Sequence, residues 1–156
     1  ELKITYISTH HLKINLNMVI QRWQSVFLLL AAVFMGAYSF LPAATLYDSP
    51  DIITVFPIDF PGNFIGNIII ALFLLVTIFM YRNTRLQRRM AITAIILIVI
   101  SAATGLFAIG PLHGTEPKIT FGFSACFLPL ALILTHMAYR RILADEKLLR
   151  SYDRLR

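Results

Sequence analysis

Two uninterrupted apolar segments dominate the pattern of hydrophobic and polar positions along the chain. Segments 63–81 and 90–109 contain no Asp, Glu, Lys or Arg. Each is about 20 residues long, and an α-helix of that length crosses a hydrocarbon core of about 30 Å. The pattern therefore predicts two membrane-spanning helices joined by the polar segment 82–89.

Two further apolar segments, 25–46 and 119–139, extend the pattern on either side. The first is longer than the stretch of about 7–15 apolar residues in a signal peptide, so we interpret it as a retained span. In the second, Pro129 lies near the middle, where it would remove a backbone hydrogen bond and bend the helix. The sequence thus predicts four transmembrane helices, at about 25–46, 63–81, 90–109 and 119–139.

The two segments expected on the far side of the membrane differ in character. Segment 47–62 contains three aspartates and three prolines around the β-prone run 52–56. Such a run beside turn-forming residues has strand-like chemistry, and we expect it to lie at the outer membrane interface. A small hairpin is one arrangement, and the sequence leaves the structure of this segment open. Segment 110–118 is rich in glycine and proline and is expected to be a short turn.

Arginine is concentrated beside the spans that should end in the cytoplasm. These residues are Arg82, Arg85, Arg88, Arg89, Arg140 and Arg141. Basic residues in short loops resist translocation, so they fix the orientation of the neighbouring helices. With both termini inside, every one of the 14 Lys and Arg residues except Lys118 is cytoplasmic. We expect an up-down-up-down bundle in the inner membrane, whose arginines could also contact anionic lipid headgroups.

The two ends of the chain lie outside the predicted spans. Residues 1–17 show no helical periodicity, and Met18 is a plausible start, so we interpret 1–17 as a mobile extension whose native origin stays open. Residues 140–156 should form a cytoplasmic amphipathic helix with a Glu146/Arg150 pair at i,i+4. Its apolar stripe comprises Leu148, Leu149, Tyr152 and Leu155.

The composition supports a membrane protein of one domain. Hydrophobic residues make up 58% of the chain and charged residues 14%, whereas soluble domains usually contain about a quarter charged residues. The net charge of +6 arises from residues that flank apolar segments, which argues against a nucleic-acid surface. A single cysteine, Cys126, excludes an internal disulfide.

Candidate chemistry is sparse. The spans contain one histidine, His136, which is a weak functional candidate because ionisable groups inside membranes are often functional. Ala32 with Gly36, and Ser101 with Gly105, are small residues one turn apart, a spacing typical of closely packed helix faces. The sequence predicts no catalytic residue, cofactor or metal ligand, and hence no enzyme.

Three segments carry a family resemblance: 18–30, 81–89 and 145–156, the last with the sequence DEKLLRSYDRLR. They resemble the ends and central loop of a bacterial family of small four-helix inner-membrane proteins, domain of unknown function 4293. The resemblance covers residues 18–156 and implies the same four-span architecture. It brings no known activity, so it implies no site residue.

Two function hypotheses follow. The first is a non-enzymatic membrane subunit or scaffold that acts through contacts with lipids, with a partner membrane protein or with a second copy. The alternative is a small oligomeric transporter or channel for an uncharged or lipid-like substrate. Ion-coupled carriers usually keep a carboxylate or a discontinuous helix near the middle of the membrane, and these spans contain no Asp or Glu.

Overall fold

The computed structural model describes residues 23–48, 51–109 and 118–153. This part of the chain contains four long helices: α1 (Trp23–Phe40), α2 (Pro61–Phe79), α3 (Thr84–Ile109) and α4 (Phe127–Asp153). Each of the four is long and apolar enough to cross a membrane. The prediction of four helices able to span a membrane is therefore confirmed. The extension 1–17 lies outside the described residues.

A small antiparallel sheet joins the helices at one end. Its strands are β1 (Ala44–Asp48), β2 (Asp51–Val55) and β3 (Lys118–Phe121), in the order β2-β1-β3. The β1–β2 hairpin pairs Ala44 with Val55 and Tyr47 with Ile52. Segment 47–62 thus contains most of the hairpin that the sequence suggested as one arrangement. The fold is mostly helical, as expected, and β3 adds a third strand 63 residues after β2, counting from Val55 to Lys118.

The predicted bounds of the first and fourth spans need correction. The first was expected to continue to residue 46, but α1 ends at Phe40 and residues 44–46 belong to β1. Pro42 has no N–H for a helical hydrogen bond, which favours an end before it. The fourth was expected to begin at residue 119, where the chain instead forms β3 and then a 3-10 turn, Phe123–Cys126, before α4.

Pro129 consequently lies in the first turn of α4 and not in the middle of a span. The N–H groups of a first helical turn have no intrahelical acceptor, so proline removes no helical bond there. The expected position of Pro129 in the middle of a span is therefore wrong, and the bend predicted there stays a prediction.

The polar segment between α2 and α3 is also shorter than expected. A 3-10 turn, Met80–Arg82, follows α2, and α3 already begins at Thr84. Asn83 Oδ1 accepts a hydrogen bond from the Leu86 N–H at 3.2 Å, which satisfies one free donor of the first turn. The segment 82–89, expected to be a loop, is mostly helix, and it carries Arg85, Arg88 and Arg89 on α3.

All four helices contribute to one apolar core, which contains alanines from α1, α3 and α4 and larger side chains from α1, α2 and α3. The buried members are Leu28, Ala31, Ala32, Met35, Ile70, Leu74, Ala94, Ile98, Ala131 and Ala138. Small residues let helix backbones approach closely. The opposite faces expose large apolar side chains such as Val33, Ile69 and Val99. Apolar outer faces on four long helices indicate a multi-pass membrane protein.

The two ends of this helical unit differ, and we name them by their contents. The strand end holds the sheet, the last turns of α1 and α3 and the first turns of α2 and α4. The arginine end holds the last turn of α2, the first turns of α3 and the charged half of α4. Contacts between Asn67 and Ser101, and between Thr77 and Gln87, show that α2 and α3 run antiparallel between these ends.

Candidate functional site

Polar side chains from three helices meet at the arginine end. Asp145 and Glu146 are consecutive on α4, so their side chains diverge by about 100° around the helix and reach different neighbours. Gln24 of α1 donates a hydrogen bond from Nε2 to Oδ2 of Asp145. Nη1 of Arg88 on α3 lies 3.0 Å from Oε2 of Glu146. Glu146 is buried, with 4% of its surface exposed. The acidic pair thus ties α4 to α1 on one side and to α3 on the other.

A neighbouring contact ties α3 to α2. Gln87 is buried and donates from Nε2 to the Thr77 carbonyl oxygen at 3.3 Å. The Thr77 hydroxyl in turn donates to the Phe73 carbonyl within α2 at 2.8 Å. Because Gln87 and Arg88 are adjacent on α3, one turn of that helix contacts both α2 and α4.

The environment of Asp145 makes its ionised form less favourable. Asp145 lies in the charged half of α4, beyond segment 127–139, which contains no Asp, Glu, Lys or Arg. Burial raises the pKa of its carboxyl group, while the hydrogen bond from Gln24 and the charge of Arg141 lower that pKa; the net direction is upward. The hydrogen bond from Gln24 therefore holds the Asp145 side chain in a position where burial disfavours its negative charge.

The structure separates the arginines that the sequence grouped together. Arg88 forms the ion pair with Glu146, whereas Arg85, Arg89, Arg140 and Arg141 are exposed. Arg82 lies in the 3-10 turn after α2. The predicted i,i+4 partner of Glu146, Arg150, has no described side chain, and the ion pair that the structure shows for Glu146 is between helices.

A second polar contact lies inside the apolar part of the helices. Asn67 of α2 is fully buried, and its Oδ1 accepts a hydrogen bond from the Ser101 hydroxyl of α3. The Ser101 carbonyl also accepts a bond from the Thr104 hydroxyl at 2.9 Å. One turn further, a methyl group added at Gly105 would lie 3.0 Å from Asn63 Nδ2. Ser101 and Gly105 therefore lie on the face of α3 that α2 approaches.

The other predicted small-residue pair behaves differently along α1. Ala32 is buried in the core. A methyl group added at Gly36 would meet nothing within 4 Å in the described part of the chain. Close packing of another helix against Gly36 stays a prediction.

A cavity of about 360 Å³ lies at the strand end, between the ends of α1 and α3 and the start of α4. Its lining is mainly apolar, with the Tyr38 hydroxyl as a polar group. The residues around it are Tyr38, Ala43, Ala102, Gly105, Leu106, Phe121, Ala125, Cys126, Leu128 and Pro129. A second cavity of about 240 Å³ lies between α2 and α3 beside Asn63 and Ser101. Cavities with such linings suit apolar chains.

The sequence model of one family, described as a domain of unknown function (DUF4293), matches residues 20–155. The chain belongs to this family. No curated protein and no solved structure matches this chain. The family resemblance expected from the sequence is confirmed, and it assigns no activity.

The DUF4293 chain places His136 beside an aromatic ring. His136 is exposed on α4, and its ring centroid lies 6.2 Å from that of Tyr139. Among residues 23–48, 51–109 and 118–153 there is no group of three or more His, Cys, Asp or Glu side chains that could hold a metal ion. His136 stays a weak candidate on an exposed face of α4.

Sequence reasoning missed the partners at the arginine end of this DUF4293 protein. Gln24 and Asp145 are 121 positions apart, so no local spacing connects them. The sequence did contain a signal for such contacts. Gln24 and Gln87 are amides beside long apolar segments, where burying a polar group without a hydrogen-bond partner is unfavourable. Such residues identify helix positions that require a partner, but only the packing shows which partner.

Proposed function

We propose that this protein is a non-enzymatic subunit or scaffold of the bacterial inner membrane that acts through protein or lipid contacts. The observation that carries the proposal is that buried polar side chains of this protein form hydrogen bonds between helices. Gln24, Gln87 and Asn67 each bond to a neighbouring helix. These groups hold helices together and converge on no reacting centre, which is what a structural membrane subunit needs.

The proposed arrangement in the membrane is an up-down-up-down bundle with both termini in the cytoplasm. The grouping of Arg85, Arg88, Arg89, Arg140 and Arg141 at one end supports it, because arginines resist transfer across the membrane. The strand end, which carries the exposed Asp59, would then face outward.

The strand end also offers a surface for a protein contact. Phe107 at the end of α3 is 80% exposed and Phe123 before α4 is 81% exposed. Phe121 of β3 is exposed as well. Aromatic side chains contribute large contact areas at protein interfaces. We therefore propose this aromatic surface, Phe107, Phe121 and Phe123, as the contact for a membrane-protein partner or a second copy.

Site-specific photocrosslinking in living cells tests the proposal. A photoreactive amino acid at position 123 or 107 should yield a discrete crosslinked protein band after irradiation. The matched control position is 99, where Val99 is exposed in the middle of α3 and should face lipid. Crosslinks of equal yield at all three positions, or none at 107 and 123, would contradict a specific partner at this surface.

A second candidate function is a small transporter or channel for an uncharged or lipid-like substrate. The mainly apolar cavity of about 360 Å³ at the strand end favours it, because such a lining suits an apolar chain. An oligomer would be needed to enclose a path, since a bundle of four helices has little room inside.

A further inference from the structure

One exposed face of α4 changes from apolar to basic within two helical turns. Ile133 and Met137 are one turn apart and are 54% and 41% exposed. Arg140 and Arg141 follow at the next turn of the same face and are also exposed. At a rise of about 1.5 Å per residue, Ile133 and the two arginines are separated by roughly 10–12 Å along the helix.

A groove of about 300 Å³ lies where this change occurs, and among the residues that the structure describes Met137, Arg140 and Arg141 line it. These three residues contribute an apolar side chain and a pair of guanidinium groups. A phospholipid likewise has an apolar part, the acyl chain, next to a charged part, the phosphate. Arginine binds phosphate oxygens through two parallel N–H donors, which a single point charge cannot do.

The neighbouring acidic groups point toward other helices. Glu146 is buried against Arg88 of α3, and Asp145 accepts the hydrogen bond from Gln24 of α1. The charge of Arg141 acts on Asp145, and the side chains of Arg140 and Arg141 are both exposed. The exposed face at the groove is therefore positive although two carboxylates follow within the next six positions of the sequence.

We propose that this groove binds an anionic phospholipid, whose phosphate lies between Arg140 and Arg141 and whose acyl chain follows Met137 and Ile133. This inference deepens the lipid part of the proposed function and assigns it to one face of α4. Charge complementarity supports the phosphate, and the exposed apolar residues next to it support the chain. The exposed Arg85 and Arg89 of α3 lie outside the lining of this groove.

Native mass spectrometry of the full chain in detergent tests the assignment. Phosphatidylglycerol and phosphatidylcholine with the same acyl chains are added at equal concentrations. The wild-type chain should retain phosphatidylglycerol preferentially, and Arg140→Gln/Arg141→Gln should weaken that binding by roughly tenfold or more. Arg85→Gln/Arg89→Gln removes the same number of positive charges and should leave the preference intact.

Two further arms make the outcome decisive. Ala144→Glu adds a carboxylate one turn beyond Arg140 on an exposed position, and should lower phosphatidylglycerol binding without removing either arginine. Excess inorganic phosphate should not displace the lipid, because phosphate lacks the acyl chain. Equal losses in the two double variants, or full displacement by inorganic phosphate, would overturn the proposal. The photocrosslinking result at Phe123 is independent of these measurements, so the two proposals can fail separately.

Discussion

At the scale of single residues, the junction between α1 and β3 leaves no room for a side chain at Gly122. The Gly122 N–H donates to the Ala43 carbonyl oxygen at 2.9 Å, and the Ser124 hydroxyl donates to the Pro42 carbonyl oxygen at 2.5 Å. A methyl group added at Gly122 would lie 2.4 Å from the same Pro42 oxygen. The backbone of Gly122 has φ −71° and ψ 162°, which any residue can adopt. Glycine is therefore required there by the neighbouring backbone and not by its own dihedral angles.

We expect Gly122→Ala to destabilise the protein by about 1–3 kcal/mol, because the added methyl group forces the strand away from the end of α1. Thermal unfolding of the purified protein in detergent measures the change. The control is Gly66→Ala in α2, where an added methyl group meets nothing within 4 Å. This control should be neutral or slightly stabilising, since alanine favours helix over glycine. Equal melting temperatures for the two variants would contradict the tight junction.

At the scale of secondary-structure elements, α3 makes polar contacts along most of its length. Near its start Gln87 bonds to α2 and Arg88 pairs with α4, and further along Ser101 bonds to α2 again. Apolar contacts between helices gain little in lipid, because the lipid chains are equally apolar. Polar contacts at separate positions along α3 therefore define the register between α3 and its neighbours.

We expect Arg88→Met to destabilise the α3–α4 contact, because it removes the ion pair of the buried Glu146 carboxylate. The loss should be about 1–2 kcal/mol, below the value for a fully buried pair, since the Arg88 side chain is 30% exposed. Unfolding of the detergent-solubilised protein by a denaturing detergent measures it.

Two variants control for side effects of this substitution. Arg85→Met removes an exposed arginine one turn earlier on α3 and should change stability by less than about 0.5 kcal/mol. Arg88→Met/Glu146→Leu removes both charges and should recover part of the loss. If Arg85→Met were as destabilising as Arg88→Met, the ion pair would not explain the effect.

At the scale of the whole molecule, the arginines of α3 and α4 lie at the end opposite to the strands. The exposed arginines of α3 and α4 are at one end, and the three-stranded sheet is at the other. The exposed apolar faces between these ends match a hydrocarbon layer. This asymmetry supports the proposed sidedness, since the arginine end resists translocation and the sheet can satisfy its backbone groups in the outer interface.

Cysteine labelling of intact cells checks the proposed sidedness. In a Cys126→Ala background, Ile58→Cys places a thiol at an exposed position of the strand end, and Lys147→Cys places one at the arginine end. A membrane-impermeant maleimide should label position 58 in intact cells, and position 147 after the membrane is permeabilised. Labelling of position 147 in intact cells would reverse the proposed orientation.

The sequence by itself determined that the chain has four long apolar segments able to form membrane-crossing helices, with an arginine-rich segment between the second and the third, because helix length and hydrophobicity follow from local composition. It placed the ends of helices less well. Residues 44–46 and 119–121 are apolar enough to extend a span, and they form strands because they pair with each other: Ala44 with Phe121 and Leu46 with Ile119.

The tertiary structure alone decided which polar groups became partners and where the cavities lie. Gln24 with Asp145 and Arg88 with Glu146 join positions far apart in sequence, and no local period encodes such a pairing. The cavity at the strand end likewise depends on where α1, α3, β3 and α4 meet. Local composition sets how long a helix is and how apolar its faces are. Long-range packing then selects one contact among many that composition allows.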